Sequence, residues 1–102
     1  MSVVLEFSIF PTDKGESVSE YVSKVIKMIR SLDIEHQLTP MGSIIETDSL
    51  QEALKVIELS YDILDKEGSK RVYISTNIDI RKGKDNRLKS KIKSIEDKIG
   101  KK

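Results

Sequence analysis

Apolar and polar residues alternate with period two from Val3 to Phe10. Val3, Leu5, Phe7 and Ile9 fall on one side, and Val4, Glu6, Ser8 and Phe10 on the other. This is the pattern of a β-strand with one face on a core. Pro11 ends the run, and a polar loop containing Gly15 follows. Ser17, with Glu20 three positions on, forms a capping-box signature. Val18, Val22, Val25, Ile26, Ile29 and Leu32 then recur at helical spacing, with Glu20, Lys24, Lys27 and Arg30 off the stripe, and the helix is expected to stop near Asp33. Alternation returns in Ile34–Thr39, with Ile34, His36 and Leu38 on one face. Pro40 cannot donate to a sheet ladder, and Gly42 permits a close backbone approach. A turn near Thr39–Gly42 therefore leads into a further strand, Ser43–Thr47.

Asp48 or Ser49 is placed to cap a second helix, with Leu50, Leu54, Ile57, Tyr61 and Leu64 as its apolar stripe and Gly68 at its end. Arg71–Ile80 reads as the last strand, with Val72, Ile74, Thr76 and Ile78 inward and Tyr73, Ser75, Asn77 and Asp79 outward. After the polar stretch Lys82–Asn86, the residues Leu88, Ile92, Ile95 and Ile99 mark a third helix. Strand–helix–strand–strand–helix–strand with right-handed crossovers predicts an α+β, ferredoxin-like βαββαβ sandwich with an antiparallel sheet and an extra C-terminal helix. Both crossover helices should cover one sheet face. The other face, carrying Glu6, Ser8, Phe10, Gln37 and the outward residues of the last strand, is too mixed for plain solvent surface and suggests an interface or pocket floor. The 102 residues read as one domain, 1–102, with 84–102 as its basic C-terminal helix.

Composition narrows the chemistry. Cysteine is absent, which removes disulfides, thiolate metal sites and cysteine nucleophiles, and the single histidine, His36, cannot build a multi-histidine site. His36 follows the apolar alternation and has no nucleophile to pair with. Ser2–Phe10 is short and contains Glu6, unlike a signal peptide, and no apolar run is long enough to span a bilayer. A cytoplasmic protein without membrane contact is the expectation. Only 37% of residues are hydrophobic and 5% aromatic, so the core is thin and aliphatic, which favours further burial by self-association. Residues 1–80 hold 8 basic and 14 acidic side chains, a balance of −6, whereas 81–102 hold 10 and 3, a balance of +7. A basic helix packing beside an acidic body accounts for this. A nucleic-acid contact is the other reading, but Met41–Thr47 lacks the aromatics on which ferredoxin-like RNA binders stack bases.

Candidate functional residues are few. Glu46 is a lone acid at the far end of the Ser43–Thr47 strand, able to accept from an amine or ring nitrogen, or to serve as an ordinary strand-edge acid. Asp79 and Arg81, flanking Ile80, read as a strand-end ion pair. The five glycines are scattered and form no phosphate loop. No cofactor and no catalytic constellation is implied.

An ordered set of segments covers nearly the whole chain. They are Glu6–Phe7–Ser8–Ile9 before Pro11, Ser19 with Tyr21–Val22, Pro40–Met41–Gly42–Ser43–Ile44–Ile45–Glu46, Gly68 before Arg71–Val72, Ile78–Asp79–Ile80–Arg81, and Lys93–Ser94–Ile95 with Lys98. Together they resemble the small ferredoxin-like proteins that bind thiamine or its hydroxymethylpyrimidine moiety. The resemblance implies a non-catalytic, cytosolic homo-oligomer, a tetramer built as a dimer of dimers, with a thiamine or pyrimidine pocket near the sheet and a subunit interface. Carried over by position, the ligand-binding residues are Ser8, Met41, Gly42, Ser43 and Glu46. Thr12 and Asp13 stand where the family often has an apolar residue and glycine, and Asn77 where it commonly has lysine. The alternative is an oligomeric regulatory or interaction domain that uses the open sheet face without a metabolite.

Overall fold

The structure is a computed structural model in which residues 1–15 and 18–100 are described. The chain forms β1 (Ser2–Pro11), α1 (Ser19–Ser31), β2 (Glu35–Thr39), β3 (Gly42–Thr47), α2 (Leu50–Lys66), β4 (Val72–Arg81) and α3 (Arg87–Ile99). The four strands make one antiparallel sheet in the order β2-β3-β1-β4. This is the ferredoxin-like α+β arrangement expected, with α3 added.

Strand alternation fixes what each face carries. Val3, Leu5, Phe7 and Ile9 of β1 and Ile45 of β3 are buried against Val25 and Ile29 of α1 and Ala53, Val56 and Leu64 of α2. Each of these larger side chains contributes roughly 2 kcal/mol by leaving water. The register runs Phe7 opposite Ser43 and Val3 opposite Thr47 on one side of β1, and Ser2 opposite Arg81 through Pro11 opposite Val72 on the other. β1 is thus paired with β4 along its whole length but with β3 only as far as Phe7.

Helix ends follow their local chemistry. Ser49 caps α2 by accepting from the Glu52 amide at 3.1 Å. Gly68, at φ +84, closes the other end as a Schellman motif, with the Ser69 amide donating to the Leu64 carbonyl and the Gly68 amide to that of Asp65. The cap expected at Ser17 lies outside the described residues.

The burial of two elements differs from the sequence expectation. α2 turns Ala53, Val56, Ser60 and Leu64 to the core, leaving Leu54 and Tyr61 exposed. A small residue and a self-satisfied serine, whose hydroxyl donates to the Val56 carbonyl at 2.7 Å, let the helix lie close to the sheet. Ile74, Ile78 and Ile80 of β4 point to the core side but remain 36%, 40% and 46% exposed. β4 is an edge strand, and the two crossover helices centre on β1 and β3 instead. The radius of gyration, 15.1 Å, exceeds the roughly 13 Å expected of a compact chain this long. α3 contributes to that excess: it is anchored at its N-terminus while Ile92, Ile95 and Ile99 stay exposed.

Candidate functional site

The two ends of β3 offer opposite kinds of surface. At the Thr47 end, Glu46 is a polar group fully engaged. Its carboxylate accepts from the Ser2 hydroxyl at 2.5 Å, the Arg87 amide at 2.9 Å and the Leu88 amide at 3.1 Å. Asn86, the residue before α3, is left-handed and makes no side-chain cap, so the carboxylate of a distant strand caps α3 in its place. The Arg87 side chain, 1% exposed, completes the joint. Its guanidinium donates to the Asp79 carboxylate at 2.8 Å, the Asp79 carbonyl at 2.5 Å, the Ser2 carbonyl at 2.9 Å and the Ser2 hydroxyl at 3.1 Å. β1, β3, β4 and α3 are thereby tied at one corner. Burial alone would raise the Glu46 pKa. Hydrogen bonds from Ser2 and the two amides, with the Arg87 charge, outweigh it and hold the carboxyl below its ordinary value.

Two expectations are corrected here. Asp79 pairs with Arg87, not with Arg81. Glu46 does not join the other candidate ligand residues, because β3 carries it to the opposite end of the strand and its oxygens are committed to Ser2 and α3. His36 sits on the core side opposite Ile45, with Nδ1 3.2 Å from the Ile34 carbonyl.

At the Gly42 end, the hairpin stops early. β2 and β3 turn at Pro40–Met41, while β1 runs on through Ser8, Ile9 and Phe10. The start of α1 therefore stands over a gap rather than over a strand. The result is a cleft of about 370 Å³ walled by Phe7–Phe10, by Val18, Val22, Val25 and Ile26, and by Leu38–Ser43. Among these described residues none ionises. The Thr39 hydroxyl is consumed within the turn, donating to the Gly42 carbonyl at 2.9 Å and accepting from the Met41 amide at 3.2 Å. Gly42 has φ +150, and a Cβ there would lie 2.6 Å from the Phe7 carbonyl oxygen, so the turn can press against β1 only with glycine at this position.

Ser43 is the polar group that stands out. It is on the core side, 8% exposed, and its hydroxyl makes no hydrogen bond with the described residues. The hydroxyl is thus open to the cleft that Ser43 lines and is available to a bound molecule. Ser8 lies on the other sheet face, where with Met41 it also borders a smaller depression of about 230 Å³ containing Glu6, Ser75 and Asn77. Met41, 84% exposed, stands at the mouth. Ser8, Met41, Gly42 and Ser43 are thus brought together, and Glu46 is left out. Sequence reading missed Val22, Ile26 and Phe10 as cleft walls because they carry the same apolar signal as core residues. It missed Arg87 because nothing distinguishes that residue from the other basic residues of the tail.

The fold defines the class of protein: a ferredoxin-like α+β domain, with a cleft between its first helix and its hairpin turn that carries no ionising side chain among the described lining residues. Residues 5–96 match the thiamine-binding protein family, and the chain belongs to it. UPF0045 protein MJ1052 of Methanocaldococcus jannaschii is 39% identical over 93 residues, 91% of each chain. Its crystal structure superposes with a TM-score of 0.79, covering 99% of this chain and 98% of that one. UPF0045 protein YqgV of Bacillus subtilis is 36% identical over 83 residues, 78% of this chain and 79% of that one. TM0486 of Thermotoga maritima, provisionally assigned to thiamine biosynthesis or salvage, shares the fold at 19% identity, with a TM-score of 0.74 over 90% of this chain and 99% of that one. No helix among the described residues is long and apolar enough to cross a membrane.

Proposed function

We propose that this chain is a non-catalytic, cytoplasmic binding protein for thiamine or its hydroxymethylpyrimidine moiety, and that it works as a homo-oligomer. The observation that carries the reading is Ser43, whose hydroxyl makes no hydrogen bond with the described residues and lines a cleft walled mainly by apolar side chains. A flat heteroaromatic ring wants such a slot and a small number of placed polar groups. Ser8, Met41, Gly42 and Ser43 are the proposed contacts, and Glu46 is assigned to structure. The absence of ionising groups from the described lining favours binding over acid–base chemistry and a neutral ring over a phosphate. Thermal melts with thiamine, its phosphates and hydroxymethylpyrimidine test this. A concentration-dependent rise for the unphosphorylated compounds is expected through linkage.

Self-association has its own support. The outer edge of β4 has no strand partner among the described residues, carries neither proline nor lysine, and runs ten residues without a bulge. Monomeric proteins ordinarily protect such an edge. Antiparallel β4–β4 pairing about a two-fold axis would join two four-stranded sheets into one, and two such dimers would give the tetramer. Sedimentation should show a dimer or tetramer, and Ile78→Lys should shift it toward monomer. The same edge favours the second reading, an interaction domain without a metabolite. Melts that stay flat at millimolar ligand, with the oligomer intact, would select that reading.

A further inference from the structure

We infer that the ligand of the cleft is held by the main chain of Ile9, whose N–H and C=O form a one-residue free strand edge that pairs with the adjacent acceptor and donor of a 4-aminopyrimidine. This rests on the binding function proposed above. In an antiparallel strand, the main-chain groups of successive residues point alternately to the two neighbours. Two contacts fix the phase of β1. The Thr12 amide donates to the Arg71 carbonyl at 2.9 Å, so even-numbered residues face β4. The Phe7 carbonyl oxygen lies against Gly42, so odd-numbered residues face β3. Ile9 is odd. The β1–β3 register ends at Phe7 opposite Ser43, and no loop hydrogen bond among the described residues reaches Ile9 from that side. Its N–H and C=O are therefore directed past the end of the hairpin, at the cleft that Ile9 lines.

The edge is too short for a peptide strand. Pro11, the next residue facing this way, has no N–H, and Val18 and Met41 wall the gap. A single residue of extended chain offers one donor beside one acceptor. A ring nitrogen next to an exocyclic amine is the complementary pair, the arrangement that the absent strand residue would have supplied. Ser43, opposite Phe7, is one step along the sheet and can meet a further polar atom of the same ring. An unpaired backbone amide in an apolar cleft is otherwise costly, so the pairing gains from a group that the fold leaves unsatisfied.

The test is an amide-resolved NMR titration of the full-length protein with hydroxymethylpyrimidine. It is paired with a variant in which the α-hydroxy acid analogue replaces Ile9, removing its N–H and weakening the preceding Ser8 carbonyl, which faces β4 and not the cleft edge. The expected result is a downfield shift and slowed exchange of the Ile9 amide. Affinity should fall about tenfold in the ester variant, and by a similar factor for the des-amino analogue of the ligand. Because the ester also weakens the Ser8 carbonyl that faces β4, a modest loss of stability is expected, and affinities are compared where both proteins are folded. Shifts at Met41 and Ser43 with an unmoved Ile9 amide would overturn the pairing while leaving the binding function standing. No shift anywhere in the cleft at millimolar ligand would overturn both.

Discussion

β3 is six residues long, yet its two ends behave as different materials. At the Thr47 end the two buried charged groups are answered: the carboxylate of Glu46 by a hydroxyl and two amides, the guanidinium of Arg87 by two carbonyls, a hydroxyl and a carboxylate. At the Gly42 end the Ser43 hydroxyl and the Ile9 edge face a gap. A functional acid and a structural acid look alike in sequence. The difference lies in whether the protein has already used the hydrogen-bonding capacity, because a buried group with all its partners has nothing left to offer a ligand.

Substitutions should separate the two ends, and Arg87→Ala should have the largest effect. It leaves Glu46 buried without its counter-charge and removes the bonds joining β1, β4 and α3. A loss of about 3 kcal/mol is expected, read as a lower urea midpoint, with hydroxymethylpyrimidine affinity unchanged under conditions where the variant is folded. Gly42→Ala should cost about 2 kcal/mol through the clash with the Phe7 carbonyl and the positive φ, and unlike Arg87→Ala it should also weaken binding. Equal ligand affinity in the two variants would dissolve the distinction between the ends.

Glu46→Gln should cost roughly 1.5 kcal/mol at neutral pH without changing affinity. Its effect has a pH signature. The folded-state pKa of Glu46 is depressed, so its contribution is present above the ordinary glutamate value, roughly 4.3, and is lost as pH falls through the folded value. The parent should therefore lose stability on acidification more steeply than Glu46→Gln. Parallel acid titrations of the two would remove the carboxylate from the joint, and weakened binding in the variant would return Glu46 to the site. Ser43→Ala should have the smallest effect on stability, within about 0.5 kcal/mol. Affinity should still fall roughly fivefold, the share of one hydrogen bond, as measured by calorimetry.

Much of this molecule was legible in the chain. Period two in β1 and β4, the Pro40–Gly42 turn and the Gly68 stop identify elements because side-chain direction and backbone permissiveness are local properties. The site was legible in part. The turn Met41–Gly42–Ser43 and Ser8, expected as ligand contacts, border the cleft, whereas its walls Val22, Ile26 and Phe10 carry only the signal of burial.

The sequence by itself determined the order of elements and the faces on which their residues fall, since both follow from bonds between near neighbours. Only the tertiary structure decided that β4 is an uncovered edge, that α2 packs through Ala53 and Ser60, and that Arg87 is buried while Lys84 and Lys89 are exposed. It also decided what β3 does at each end. Partners of Glu46 lie about forty residues away in both directions, and whether a polar group is satisfied depends on which distant atoms the fold brings within hydrogen-bond reach.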